Sequence, residues 1–190
     1  MTDDQIFEPE GRAIPYVEEG DGPVKLVLIP EPGEGRDALA VVAHYLAEEA
    51  GFHVLRVGYR AGSNGQLAVA EHAEDVVAVI DHLGFDHTWI GGHGFGGTVA
   101  RAAVGAHQDR ANGLLLLGVE DRDIPLAPVL PVLIVQGSAD EVTPPAHGDL
   151  LQSTAPERAS VKTLSGAGHL FPLTHLMETA VTIEEYLDWD

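Results

Sequence analysis

Apolar residues along this chain fall into two alternating kinds of segment. The runs 24–29, 53–59, 87–91, 113–119, 132–136 and 160–164 are short, rich in β-branched residues and almost continuously apolar. Strands of that kind are buried on both faces, as in a parallel sheet covered by helices. Between them, apolar residues recur at three- and four-residue steps: Ala38, Leu39, Val42, Leu46 and Ala50, then Val69, Ala73, Val76, Val77, Ile80 and Leu83. That spacing lays one apolar stripe along a helix. Gly51 and Gly84 follow these two segments, where a left-handed residue stops a helix. The pattern predicts a third helix from the glycines near 94 to about His107 and a fourth behind Thr143-Pro144-Pro145, with proline in its first turn. A last helix is expected over about 173–187, and 13–17 reads as an antiparallel edge strand. The alternation of strand and helix predicts a three-layer α/β fold with a mostly parallel, doubly wound sheet. No linker or repeat interrupts it, so residues 1–190 read as a single domain.

Composition changes the picture at the surface. A hydrophobic fraction of 45% in 190 residues suffices for a full core. No run of about 18 apolar residues occurs, so no transmembrane helix is expected. The acidic start MTDDQIFEPE is unlike a secretory or transit segment. With no cysteine there are no disulfides or thiolate metal sites, which fits a cytoplasmic location. Asp and Glu number 30 against 10 Lys and Arg, a net charge of −20. Such a surface repels phosphates and anionic headgroups, so neither nucleic acid nor membrane is an expected partner. The oligomeric state is left open. The charge fits either adaptation to high salt or an acidic protein from an arginine-preferring genome. Salt adaptation predicts a melting temperature that climbs from low to molar KCl as screening weakens self-repulsion. A flat melting temperature over that range excludes it.

Candidate chemistry gathers at three places. Residues 89–99 read W-I-G-G-H-G-F-G-G-T-V, a strand end, a glycine turn and a helix start. Residues 131–144 run from an apolar strand into a loop carrying Asp140, and Gly166-Ala167-Gly168-His169 forms a later loop. In this order the three resemble the α/β-hydrolases, whose nucleophile elbow G-x-S-x-G precedes the acid and then the histidine of a triad. The resemblance extends over about 14–187 and includes Ala73–Val76 and His82–Gly84 ahead of the elbow strand. It implies a hydrolase fold, Asp140 as the triad acid and His169 as the catalytic histidine. Gly94 stands where the family keeps its serine, leaving the nucleophile position vacant. The Phe95 backbone N–H corresponds to one oxyanion donor. The family's oxyanion loop corresponds to Pro30-Glu31-Pro32-Gly33-Glu34-Gly35: aligned at the donor position, Pro32 has no N–H to give and Glu31 brings an unfavourable charge, whereas a one-residue shift puts a donor at Gly33. Only 120–130 is available where the family inserts a cap, so an open site without a cap is expected.

The resemblance leaves three functions open. One is an enzyme acting on a small organic substrate without an acyl intermediate, by lyase, dehydration, isomerisation or cyclisation chemistry. His169, oriented by Asp140, would then carry protons. The second is a serine hydrolase inactivated at position 94 by divergence or engineering. The third is a ligand-binding pseudoenzyme, in which the Asp140–His169 bond survives as structure. Glycine at 94 also relieves the strain of an elbow turn, a gain in stability for a protein freed from ester hydrolysis, and the altered oxyanion loop favours divergence over engineering. Gly92, Gly94 and Gly97 match G-x-G-x-x-G as well, with Glu120 as the ribose-binding acid of a dinucleotide site. That motif sits at the third β–α step and leaves the Asp140 and His169 loops unexplained. His93 lies beside the oxyanion and substrate positions and reads as packing rather than as a nucleophile. Arg60 reads as a structural brace. The remaining histidines show no ligand spacing, so neither a metal site nor a cofactor is expected.

Overall fold

In the computed structural model, which describes residues 4–33, 37–63 and 66–188, the near-continuous apolar runs become strands of one sheet. Its strands are β1 (Gln5–Phe7), β2 (Ile14–Glu19), β3 (Lys25–Ile29), β4 (His53–Val57), β5 (Thr88–His93), β6 (Ala111–Leu117), β7 (Val132–Gly137) and β8 (Ala159–Leu164). The helices are α1 (Asp37–Glu48), α2 (Val69–Leu83), α3 (Phe95–Ala106), α4 (Pro145–Ser153), α5 (Phe171–Thr174) and α6 (Leu176–Leu187). The spatial order is β1-β2-β4-β3-β5-β6-β7-β8. The pairs β1–β2 and β2–β4 are antiparallel, and the others run parallel.

Alternation along each strand divides the core into two layers. Val27, Ile29, Ile90, Leu114, Leu116 and Ile134 pack with α2, α3 and α4. Leu26, Leu28, Trp89, Leu115, Leu117 and Val135 pack with α1, α5 and α6 on the other face. The α2 stop follows the expected chemistry: Gly84 is left-handed at φ 69°, its N–H reaches the Asp81 carbonyl, and the Phe85 N–H reaches that of Ile80.

Three expectations need correction. The strand predicted at 13–17 is antiparallel but not at the edge, because Gln5–Phe7 pairs outside it. The last helix is two: His175 (φ −123°, ψ 49°) breaks it, so Phe171 enters the core at an angle to the α6 residues Ile183 and Leu187. Several strand ends also shift by one or two residues, since hydrophobicity continues past the last ladder bond. Glu31 to Gly33 are described, whereas Glu34 and Gly35 of the expected oxyanion loop lie outside the described residues. Residues 120–130 form no helix, and no cap is evident. The buried Arg101 ties that segment down through the carbonyls of Glu120, Arg122 and Ile124. Among the described residues no helix is long and apolar enough to cross a membrane.

Candidate active site

The strand order itself marks where a site forms. After β3 the chain moves to β4 on one side and then returns to place β5 on the other. The loops leaving β3 and β5 therefore diverge at a crevice outside the carboxyl ends of the sheet, the usual place for a ligand in such folds. Register makes them neighbours: Ile29 pairs with Gly92, so two residues further on Glu31 stands beside Gly94.

Gly94 adopts φ 55° and ψ −117° between β5 and α3, backbone space nearly closed to residues with a side chain. Its N–H donates to the Leu117 carbonyl at 2.9 Å, which fixes the turn on β6. Gly96 is required for a different reason. A Cβ there would lie 1.9 Å from the Ile29 carbonyl oxygen, so α3 could not approach β3. A Cβ on Gly94 would lie 2.0 Å from Glu31 Oε1 and 2.8 Å from its Cδ. The Glu31 carboxylate thus fills the space that a side chain at position 94 would enter.

Glu31 is also the second partner of His169. The His169 ring donates from Nδ1 to Asp140 Oδ2 at 3.0 Å and from Nε2 to Glu31 Oε1 at 2.7 Å. Asp140 is held in turn by the Val142 and Thr143 N–H groups on Oδ1, at 2.9 and 2.8 Å, and by the Thr143 hydroxyl on Oδ2 at 2.6 Å. Tyr59 anchors the Glu31 loop by donating its hydroxyl to the Pro30 carbonyl. The Tyr59 phenol stays protonated, because burial and then the charges of Glu31 and Glu120 push its pKa upward. Below His169, stacked at 4.5 Å between ring centroids, lies the fully buried His93. Its Nε2 faces the His169 carbonyl at 2.8 Å, and its Nδ1, 3.8 Å from Glu31 Oε2, has no hydrogen-bond partner.

The electrostatics follow from this sandwich. Burial alone would lower the His169 pKa, but hydrogen bonds to Glu31 and Asp140 and their charges outweigh it, raising it from 6.5 to about 9. Burial would raise Glu31; the bond from His169, with the nearby His93 and His169, instead holds it below the usual carboxylate range. Burial would raise Asp140 too, and the Thr143 and His169 bonds reverse that. His93 goes the other way, pushed down chiefly by burial. At neutral pH the arrangement is an imidazolium between two carboxylates, over a neutral imidazole.

Sequence reasoning located Asp140, His169, His93 and Gly94, and the fold brings all four together. Phe95 opens α3, where the first N–H groups have no partner inside the helix. Its half-buried ring packs near Tyr59 and His72. Pro32 lines a cavity of about 270 Å³ with Glu31, Tyr59 and Arg60. A separate cavity of about 520 Å³ opens by Trp89, Lys162 and Tyr186, away from these groups. Glu31 was expected only as an unfavourable charge, and the structure instead makes it the His169 partner. Thr143 and Tyr59 went unnoticed, and nothing in their spacing reveals them. Arg60 does brace the fold, bonding Asp75 at 2.9 and 3.1 Å beside Arg12 at 2.6 Å. The dinucleotide alternative loses its anion position, since the Glu31 carboxylate stands over the start of α3 and Glu120 accepts the Thr98 hydroxyl at 2.5 Å.

A strand–turn–helix at the centre of this sheet order, followed by acid and histidine loops, defines an α/β-hydrolase type of fold. The family model described as "alpha/beta hydrolase fold" matches residues 51–129. A structure described as a predicted CIB-like hydrolase from Thermoplasma acidophilum is similar at a TM-score of 0.81 and 15% identity, covering 98% of both chains. A thermophilic esterase from Thermogutta terrifontis is similar at 0.80 and 17%, covering 99% of this chain and 98% of its own. Est1E from Butyrivibrio proteoclasticus is similar at 0.80 and 16%, covering 97% of both. At such identities the likeness of these structures is one of fold. No curated protein sequence matches the chain. The chain therefore has the α/β-hydrolase fold, and its residues 51–129 match that family's model.

Proposed function

We propose that the protein is a proton-transfer enzyme acting on a small organic substrate, without an acyl-enzyme, with His169, Asp140 and Glu31 as its working groups. One observation carries the reading: the Glu31 carboxylate occupies the space over Gly94 and is hydrogen-bonded at 2.7 Å to His169 Nε2. A site that keeps the oriented histidine and fills the nucleophile's space with a carboxylate holds an acid and a base side by side. A polar substrate entering between Glu31 and His169 separates them. Glu31 then loses the hydrogen bond that lowers its pKa, so the burial that raises it is opposed only by the nearby histidines. His169 loses one of the two partners that raise its own. Both move toward neutrality, where proton transfer in either direction is most effective.

The step is balanced within the chain. Glu31 takes a proton from the substrate carbon or hydroxyl, and His169 gives one to an oxygen of the substrate as its bond breaks or its double bond shifts. The proton then passes from Glu31 to His169 along their hydrogen bond, which restores the starting state. Elimination of water and isomerisation both fit; the substrate itself is set by the cavity beside Glu31.

The reading is tested in two parts. Small carbonyl compounds with acidic α-hydrogens are incubated in D2O and followed by NMR. Deuterium incorporation is expected with the parent protein and should fall about 10²–10⁴-fold in His169→Ala, the usual share of a general acid or base. In parallel, a fluorophosphonate probe should leave residues 92–98 unmodified. A covalent adduct there would overturn the proposal in favour of acyl-transfer chemistry.

A further inference from the structure

We infer that Glu31, His93 and His169 form a binding site for a divalent transition ion of the zinc class. Their ligand atoms all lie within 4.8 Å of one another, with Glu31 bridging Oε1 to His169 Nε2 at 2.7 Å and Oε2 toward His93 Nδ1 at 3.8 Å. Zinc takes nitrogen and carboxylate oxygen at about 2.0–2.2 Å, so the edges of a tetrahedral site are about 3.4 Å. The two distances bracket that value, and turning the stacked His93 and His169 rings toward Glu31 would bring the three donors onto one ion.

The surrounding groups point the same way. Each imidazole has its other nitrogen committed, Nε2 of His93 to the His169 carbonyl at 2.8 Å and Nδ1 of His169 to Asp140 at 3.0 Å. Metal-binding histidines are oriented in just this manner, one by a carbonyl and one by a carboxylate. The His93 commitment has a consequence. Neutral His93 with its proton on Nε2 presents the bare lone pair of Nδ1 to a carboxylate, with no hydrogen-bond partner and no exposure to solvent. A buried polar atom in that position ordinarily costs stability, and a cation between it and Glu31 removes the conflict. Three protein ligands leave a further coordination position, toward the partly exposed side of Glu31 and His169, as in metal sites that keep one place for water or substrate. The residues come from the loop after β3, the end of β5 and the loop before α5, so no spacing within a single motif reveals them.

The inference does not rest on the proton-transfer reading. The ion would take the same lone pair and carboxylate that move protons, so occupancy and proton transfer exclude each other at these atoms. Binding is measured without any substrate. The full chain is dialysed against EDTA, freed of chelator and titrated with ZnCl2 by calorimetry in excess MgCl2, which saturates the oxygen-only sites of an acidic surface. A parallel titration with CoCl2 follows the intense visible bands of tetrahedral Co2+. One equivalent of tight binding is expected. It should weaken at least 100-fold in Glu31→Gln, which needs no repacking of the core, and 10–100-fold in Asp140→Asn, whose effect passes through His169. Absence of a stoichiometric site overturns the inference. So does zinc or cobalt binding that is indifferent to Glu31→Gln, because the ions would then sit on surface histidines.

Discussion

Gly94→Ser alone should leave the protein without esterase activity, whereas Gly94→Ser combined with Glu31→Ala should gain it. The single substitution meets two obstacles. The backbone at φ 55° and ψ −117° strains any residue with a Cβ, at a cost of about 1–3 kcal/mol. The new Cβ would also lie 2.0 Å from Glu31 Oε1, so the serine can enter only by driving the carboxylate off His169. The end of a glutamate is flexible, and the variant should still fold. Its hydroxyl would nevertheless share His169 with a charged competitor that holds the ring protonated. Removing the Glu31 carboxylate opens the place and leaves Nε2 free to accept the serine proton, with Asp140 still on Nδ1. Turnover of p-nitrophenyl acetate by the double variant should exceed that of the parent by on the order of 10²-fold. It should remain modest, because Pro32 offers no N–H and a missing oxyanion donor costs about 10²–10³ in rate. A single variant as fast as the double would mean that Glu31 does not hold the nucleophile's space. A double variant that is folded but no faster than the parent would mean that His169 does not face position 94.

The contrast between what the sequence showed and what it concealed has a physical cause. The five strands β3 to β7 were legible because burial on both faces demands uninterrupted apolar runs, and Leu114 to Leu117 or Val132 to Val135 leave no other solution. Gln5–Phe7 was missed because it is three residues long, so alternation has no room to register. The break at His175 was missed because a helical stripe continues through it. In the site, Asp140, His169 and the glycine turn were recognisable since each sits within a local motif. Glu31 was not, because its meaning depends on the register of Ile29 against Gly92, which aligns segments far apart in the chain. In sequence it is a charge on a proline loop; in the fold it is the group opposite His169. His93 is similar. Its packing role was legible from its place before the turn, but the direction of its Nδ1 depends on the carbonyl of residue 169.

The Glu31–His169 bond also makes stability depend on pH in a defined direction. The folded-state pKa of His169, about 9, lies above its ordinary value of 6.5, so the folded protein holds this proton more tightly than the unfolded chain. The stabilisation is complete below pH 6.5, declines between 6.5 and 9, and is gone above 9. Each pH unit between the two values corresponds to about 1.4 kcal/mol, so the full swing is about 3 kcal/mol. His93 acts in the opposite sense and lower down: its pKa is depressed, so it contributes stability above its ordinary value and loses it in acid. The alkaline decline therefore belongs to His169. Urea unfolding at constant ionic strength, with EDTA present, should show the unfolding free energy falling by on the order of 3 kcal/mol from about pH 6.5 to about 9.5. The His169 ring proton should titrate near 9 by NMR. Glu31→Gln should flatten the decline and bring the titration down toward 6.5, since Asp140 alone then supports the charge. If Glu31→Gln leaves both the slope and the His169 titration unchanged, the short contact between Glu31 and His169 does not exist in solution.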